Sequence, residues 1–341
     1  MKRVVVIGGG FAGATVAKNL EDKFEVILID TKEYFEYTPS ILRTIIEPEH
    51  RKKIQKMHSD YLKKARIIVS DVKDVEKERV VLKGEKIGFD YLVICSGSRY
   101  NLPIKEQRVI LPLRAEHLLA AHTNLEKAEN VLIVGGGLVG VELAAEISCH
   151  YKEKKITLIH SHPRLMERNL PKAQEYVERF LRKKGVEIVF NEKVEIKGNK
   201  FFIKKGEITE DIVFLCTGII PNFEFLKKHF KNVLNERHFL KVNEQLQLIG
   251  HNNIFVAGDV NDTAVEKTAQ NATKQAMVVV SNIEALEKEM PLKPYPRIKT
   301  PIVTSLGKWN GTLEWNGFVV KGIIPGLMKS AIEKDVMWRR L

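Results

Sequence analysis

Short runs of branched, apolar residues punctuate the chain: VVVI at 4–7, VILI at 26–29, YLVI at 91–94, VLIV at 131–134, ITLI at 156–159, IVFL at 212–215 and IFVA at 254–257. Unlike surface strands, they barely alternate with polar residues, so they read as buried strands. Helix-compatible stretches lie near 11–22, 113–127, 138–151 and 171–184, and another starts at about 266. Strand, helix and strand thus recur twice, once from residue 4 and once from residue 131. Between residues 66 and 95, short apolar pieces separated by turn residues predict a small antiparallel meander.

Both repeats open with the same device. VVVIGGGFAG places Gly8, Gly10 and Gly13 straight after a strand, and VLIVGGGLVG does the same with Gly135, Gly137 and Gly140. Gly-x-Gly-x-x-Gly at a strand-to-helix junction allows a tight turn and lets the backbone approach a pyrophosphate. The next helix can then point its N-terminus at the anion. A single loop of this type is weak evidence, whereas two imply two dinucleotides held at once, the arrangement that electron transfer between a nicotinamide and a flavin needs. The first strand pair ends in Asp30, twenty-two residues after Gly8, where a carboxylate accepts hydrogen bonds from a ribose. The run at 254–257, ending in Gly258-Asp259, returns to the first unit, so the second unit is expected to be inserted in the first.

Composition narrows the class. With 44% hydrophobic and 29% charged residues over 341 positions, the chain is an ordinary globular protein of two or three domains. No apolar run is long enough to cross a bilayer. The charged start and apolar run at the N-terminus imitate a signal peptide, but the first glycine loop occupies that run, so no leader is expected. A net charge of +12 fits a solvated surface, an anionic membrane face or nucleic acid. Cys95, Cys149 and Cys216 are far apart and form no C-x-x-C, which points to a reducing compartment and away from zinc (no metal site is expected) and from a dithiol relay.

These residues resemble the flavoproteins of glutathione-reductase type, which carry two dinucleotide-binding domains. Within that group, EYFEYTPSILR at 33–43, GGGLVGVELAAEI at 135–147, LIHS, LCTGI and the GKWNG…GFVVKG tail are similar to type II NADH dehydrogenases and ferroptosis-suppressor-type quinone reductases, relatives of apoptosis-inducing factor. The resemblance implies an α/β fold of two Rossmann-like domains: FAD-binding at 1–104 and 236–290, NAD(P)H-binding at 105–235, and a C-terminal segment at 291–341 for membrane association or dimerisation. It implies an FAD site formed by Gly8, Gly10, Phe11, Ala12, Gly13, Asp30, Thr31, Lys32, Arg43, Val72, Ser96, Gly97, Gly258, Asp259, Thr268 and Ala269. For NADH or NADPH it implies Gly135, Gly137, Leu138, Val139, Gly140, His160, Ser161, Arg164, Thr217 and Gly218. Glu142 is placed to reach the nicotinamide ribose or carboxamide, and Gln270 to present its amide to a quinone. TAQNATKQA departs from the Ala-Gln-x-Ala-x-Gln quinone motif at Lys274.

The activity so implied is FAD-dependent NAD(P)H:quinone oxidoreduction, with hydride passing to flavin N5 and electrons then to a quinone without a redox disulfide. Reduction of a soluble redox protein or of oxygen stands beside it, as does a dinucleotide-sensing role on nucleic acid, although no specific nucleic-acid partner is expected. His160 occupies the second unit's equivalent of Asp30, so no carboxylate is expected there to repel a 2′-phosphate, and NADPH should serve at least as well as NADH. After Gly317, a helix starting at Pro325 is expected to carry Leu327, Met328, Ala331, Ile332 and Val336 on one face among lysines and arginines. Such a helix suits an anionic membrane surface, giving a cytoplasmic protein peripheral on the inner face of the cell membrane, as monomer or homodimer.

Overall fold

Arg3–Ile7 (β1), Phe11–Leu20 (α1) and Glu25–Asp30 (β2) form the first strand–helix–strand unit. Arg66–Val69 (β3) pairs parallel with β2, and Tyr91–Ile94 (β4) pairs parallel with β1. The expected meander is therefore only partly correct. Its two ends belong to the parallel sheet, and the antiparallel part is confined to short strands at 74–75, 79–81 and 86–88. The physical reason is burial: all four residues of β4 are buried, which a continuous apolar run satisfies and a half-exposed meander strand would not. The structure, a computed structural model, describes residues 1–99, 109–110, 115–197, 200–204, 206–296 and 299–340.

Ala115–Lys127 (α2) leads into the second unit: Asn130–Val134 (β5), Leu138–His150 (α3), Lys155–Ile159 (β6), Pro171–Lys183 (α4), Glu187–Val189 (β7) and Ile212–Leu215 (β8). β8, β5, β6 and β7 lie side by side in that order, all parallel, with the pair at Val109–Ile110 on the β8 edge. Ile254–Val256 (β9) then pairs parallel with β4, completing the first sheet in the order β9, β4, β1, β2, β3. The second sheet is thus inserted within the first, as expected from chain order. Ala269–Glu287 (α5) packs against α1, with Thr268 as its N-cap, accepting from the Asn271 N–H at 3.3 Å. The helix expected from about 266 accordingly starts at 269.

The C-terminal segment differs most from expectation. Ile302–Ser305 (β10), Gly311–Trp315 (β11) and Phe318–Gly322 (β12) form an antiparallel sheet, and Ile323–Asp335 (α6) follows. Residues 318–322 are strand, and the helix begins two residues before Pro325. Asn316 and Gly317, with φ of 46° and 84°, make the two-residue turn whose twist matches a hairpin.

Candidate functional site

Each glycine loop is built so that only glycine fits its ends while its middle stays open. Gly8 has φ +97°, and a Cβ there would lie 2.3 Å from the Cys95 carbonyl oxygen. At Gly13 a Cβ would stand 1.8 Å from the Gly8 carbonyl oxygen, and at Gly140 the same distance from that of Gly135. These contacts let each helix start directly on its loop. A Cβ at Gly10 or Gly137, in contrast, would meet nothing within 4 Å. Open space over an extended backbone, just ahead of a helix N-terminus, fits a pyrophosphate in both units.

Around the first loop the expected residues converge. Phe11 packs edge-on against Phe35 and Tyr37, with ring centroids 5.0 and 5.6 Å apart, pinning the start of α1. Ala12 is buried beside it. Asp30 is buried and accepts from the Thr31 N–H at 2.7 Å, while Lys32 Nζ lies 3.7 Å from its Oδ2. Burial alone would raise the Asp30 pKa, but His58 and Lys32 outweigh it and hold the carboxyl below its ordinary value. His58, absent from the expected set, is fully buried, with Nε2 3.2 Å from Asp30 Oδ2 and Nδ1 2.6 Å from the Tyr61 hydroxyl. Its sequence neighbours carry no sign of this role.

The loop ends of β4 and β9 meet across the site. Ser96 Oγ donates to the Asn222 carbonyl at 2.7 Å, tying the chain after β4 to the chain after β8. Ser98 Oγ donates to Asp259 Oδ2 at 3.1 Å, and burial raises the Asp259 pKa. Gly258 N–H donates to Gln275 Oε1 at 2.7 Å. Gln275 is almost wholly buried and also receives Asn261, whereas Lys274 and Gln270 are exposed on α5. The amide of this helix that reaches the Gly258 turn is thus Gln275, one position beyond the departure at Lys274. Val72 packs on the core beneath the first sheet. Thr217 and Gly218 lie exposed after β8.

Two expected site residues are engaged by partners within the protein. Arg43 forms an ion pair with the buried Glu146 of α3 at 2.9 Å, tying the segment after β2 to the second domain. Glu142 stands in the second turn of α3, and its Oε1 accepts from the Ser305 N–H at 2.8 Å and from Lys329 Nζ at 2.6 Å. One turn along α6 from Lys329, Glu333 Oε2 lies 3.2 Å from His50 Nε2. These groups surround a small polar cavity between the two domains and α6, lined by Ser40, Arg43, Glu142, Glu146 and Lys329.

At the second loop, Leu138 and Val139 begin α3, and His160 is buried at the end of β6. Gly136 N–H donates to His160 Nδ1 at 3.1 Å, and Glu167 Oε2 lies 3.2 Å from Nε2. His160 thus stands at the strand end, as expected, with a carboxylate beside it that the expectation did not include. The turn at 161–169 folds Glu167 back beneath the strand end, which strand-end counting could not register. Ser161, His162 and Arg164 are exposed on the same turn. Cys95, Cys149 and Cys216 are free thiols, and burial pushes the Cys95 thiol up to about 12, leaving it protonated and inert.

Two parallel sheets, each with an open glycine loop at a strand end, define a class, and the chain belongs to it: residues 2–276 match the pyridine nucleotide-disulphide oxidoreductase family. Among its relatives, apoptosis-inducing factor homolog B of Dictyostelium discoideum is 34% identical over 321 residues, covering 84% of this chain and 82% of that protein. Ferroptosis suppressor protein 1 of Homo sapiens is 32% identical over 349 residues, covering 96% and 92%. In fold, the chain is similar to the sulfide:quinone oxidoreductase from Aquifex aeolicus (TM-score 0.88, 21% identity, 99% of this chain and 91% of that one). It is also similar to NDH2 from Plasmodium falciparum in complex with NADH (TM-score 0.85, 15% identity, 99% and 95%). At those identities the likeness shows the fold.

Proposed function

We propose that the chain is an FAD-dependent NAD(P)H:quinone oxidoreductase working against a membrane surface. The observation that carries this reading is the pair of open glycine cradles, one per sheet, joined across a single interface. FAD, when bound, supplies a two-electron acceptor that a nicotinamide reduces by hydride transfer. The first loop, with the α1 N-terminus, binds its pyrophosphate. Asp30, held ionised by His58 and Lys32, would accept from its ribose, and Asp259 would hold the ribitol. The second loop holds the NAD(P)H pyrophosphate, and Glu142, oriented by Ser305 and Lys329, borders the approach of the nicotinamide. The protein contributes position and charge, with no thiol pair to relay electrons.

An apolar acceptor is favoured over a soluble protein by the C-terminal segment. Trp315, Phe318, Val320, Ile323, Ile324 and Leu327 are all exposed, Phe318 at 77%, and the exposed Lys308 and Lys321 belong to the same segment. Ile332 and Val336, expected on the open face of the helix, pack instead on the core. The hairpin tip and the first turn of α6 therefore form the surface that enters a headgroup layer. Among the described residues, no helix is long and apolar enough to cross a membrane; the exposed hairpin and helix turn support a peripheral attachment, for which the cytoplasmic face of the cell membrane is the proposed location.

Purified protein is expected to be yellow, to bleach with NADH and to recover its colour with a short-chain quinone; a colourless protein that FAD cannot reconstitute overturns the reading. Replacing Trp315 and Phe318 together by serine should weaken binding to anionic vesicles about thirtyfold, roughly 2 kcal/mol for partial insertion of two aromatic side chains. Flavin content should stay constant, and unchanged vesicle co-sedimentation would refute the hairpin as anchor.

A further inference from the structure

The two glycine loops lie over partners with exchanged roles. Under the first, a carboxylate ends the strand and an imidazole backs it, Asp30 with His58 at 3.2 Å. Under the second, an imidazole ends the strand and a carboxylate backs it, His160 with Glu167 at 3.2 Å. The second glycine of each triplet faces the pair. A Cβ on Gly9 would lie 2.5 Å from Asp30 Oδ2, and one on Gly136 would lie 2.8 Å from His160 Cγ. Each pair therefore lies directly beneath the loop that holds a pyrophosphate, at the strand end where an adenosine ribose is recognised.

The second pair has a fixed proton arrangement. His160 Nδ1 accepts from the Gly136 N–H, so the neutral ring carries its proton on Nε2, facing Glu167. Burial lowers the His160 pKa despite the neighbouring acid, so the ring is neutral near pH 7. Burial would raise the Glu167 pKa, but its backbone hydrogen bond and the one to His160 prevail and keep it ionised. The pair thus holds one net negative charge. The same tautomer weighs against a metal at His160, His162 and Glu167, although their ligand atoms lie within 4.8 Å of one another. One ring nitrogen of His160 is engaged by an N–H and the other is protonated, so neither offers the lone pair a metal ion needs.

We infer that Glu167, acting through His160, is a specificity-determining residue that favours the nicotinamide nucleotide with a free 2′-hydroxyl over the one with a 2′-phosphate. The inference rests on the second unit being the NAD(P)H site. His160, pinned by the Gly136 N–H, donates to the exposed Glu167 and holds its carboxylate at the strand end, where the charge repels a 2′-phosphate. Arg164 and His162, exposed on the same turn, attract that phosphate, so NADPH remains a substrate and Glu167 sets the bias against it.

The test uses FAD-loaded, full-length protein and two probes that need no turnover, ADP-ribose and 2′-phospho-ADP-ribose, titrated by calorimetry. Glu167→Gln should shift the ratio of their Kd values about tenfold toward the phosphorylated probe, and Glu167→Asp should restore the ratio of the parent protein. The ratio of kcat/KM for NADPH over NADH in flavin reduction should move by the same factor. A ratio that moves less than twofold, or an equal loss of both probes, overturns the inference while leaving the oxidoreductase reading in place. If neither probe binds the parent protein and neither nucleotide reduces its flavin, the functional reading itself has failed.

Discussion

Gly10→Leu gives a folded protein without flavin. At Gly10 the backbone is extended, with φ −76° and ψ −163°, a conformation open to any residue, and a Cβ there meets no protein atom within 4 Å. The chain should therefore accept leucine at little cost in stability. The space that the leucine fills is the space over the loop into which a pyrophosphate must descend to reach the N–H groups at the start of α1. A loss of FAD affinity of at least a hundredfold is expected, 2.7 kcal/mol or more. It is read as the flavin-to-protein absorbance ratio, with circular dichroism confirming the fold. Flavin retained at the parent level would show that the first loop is not the FAD cradle. Gly13 could not serve for this test, because a Cβ only 1.8 Å from the Gly8 carbonyl oxygen would disrupt the loop itself.

The matching change in the second unit separates the two nucleotides. Gly137 is also extended, at φ −75° and ψ −173°, with open space above it. Gly137→Leu should therefore yield a yellow protein whose flavin NADH bleaches at least a hundredfold more slowly at equal concentration. Chemical reduction of that flavin by dithionite should be unaffected, which places the defect in nucleotide binding. Normal bleaching by NADH would move the nucleotide site away from the second loop. Together the two variants form a double dissociation that a general loss of stability could not imitate.

What the sequence disclosed and what it hid follow from how far apart the interacting residues lie along the chain. The glycine loops were legible because their geometry is local: a turn, a close approach and a helix start are all encoded within six positions. Asp30 was legible for the same reason, since a strand of known length carries it to the ribose. His58 was not, because its partner lies 28 residues away and no periodic pattern marks the short turn that brings it back. Glu167 escaped by the same route over seven residues. The parallel pairing of Arg66–Val69 depends on a crossover, which a run of four residues does not reveal. In the tail, the spacing of Leu327, Ile332 and Val336 suited a helix face, yet which side of that helix met the core depended on the rest of the fold.

The position of α6 gives the C-terminal segment a second consequence. Lys329 grips Glu142 on one lobe of the molecule, and Glu333, one turn along the same helix, meets His50 on the other. A rigid rod fastened to both lobes acts as a strut and sets the angle at which they face each other. Hydride transfer tolerates little error in that angle, because an ångström of misplacement at the reacting atoms can cost a hundredfold in rate. Cutting off the tail would therefore slacken the clamp on the reaction as well as remove the proposed membrane surface. Single replacements at the hairpin tip can tell those two losses apart, and a truncation cannot.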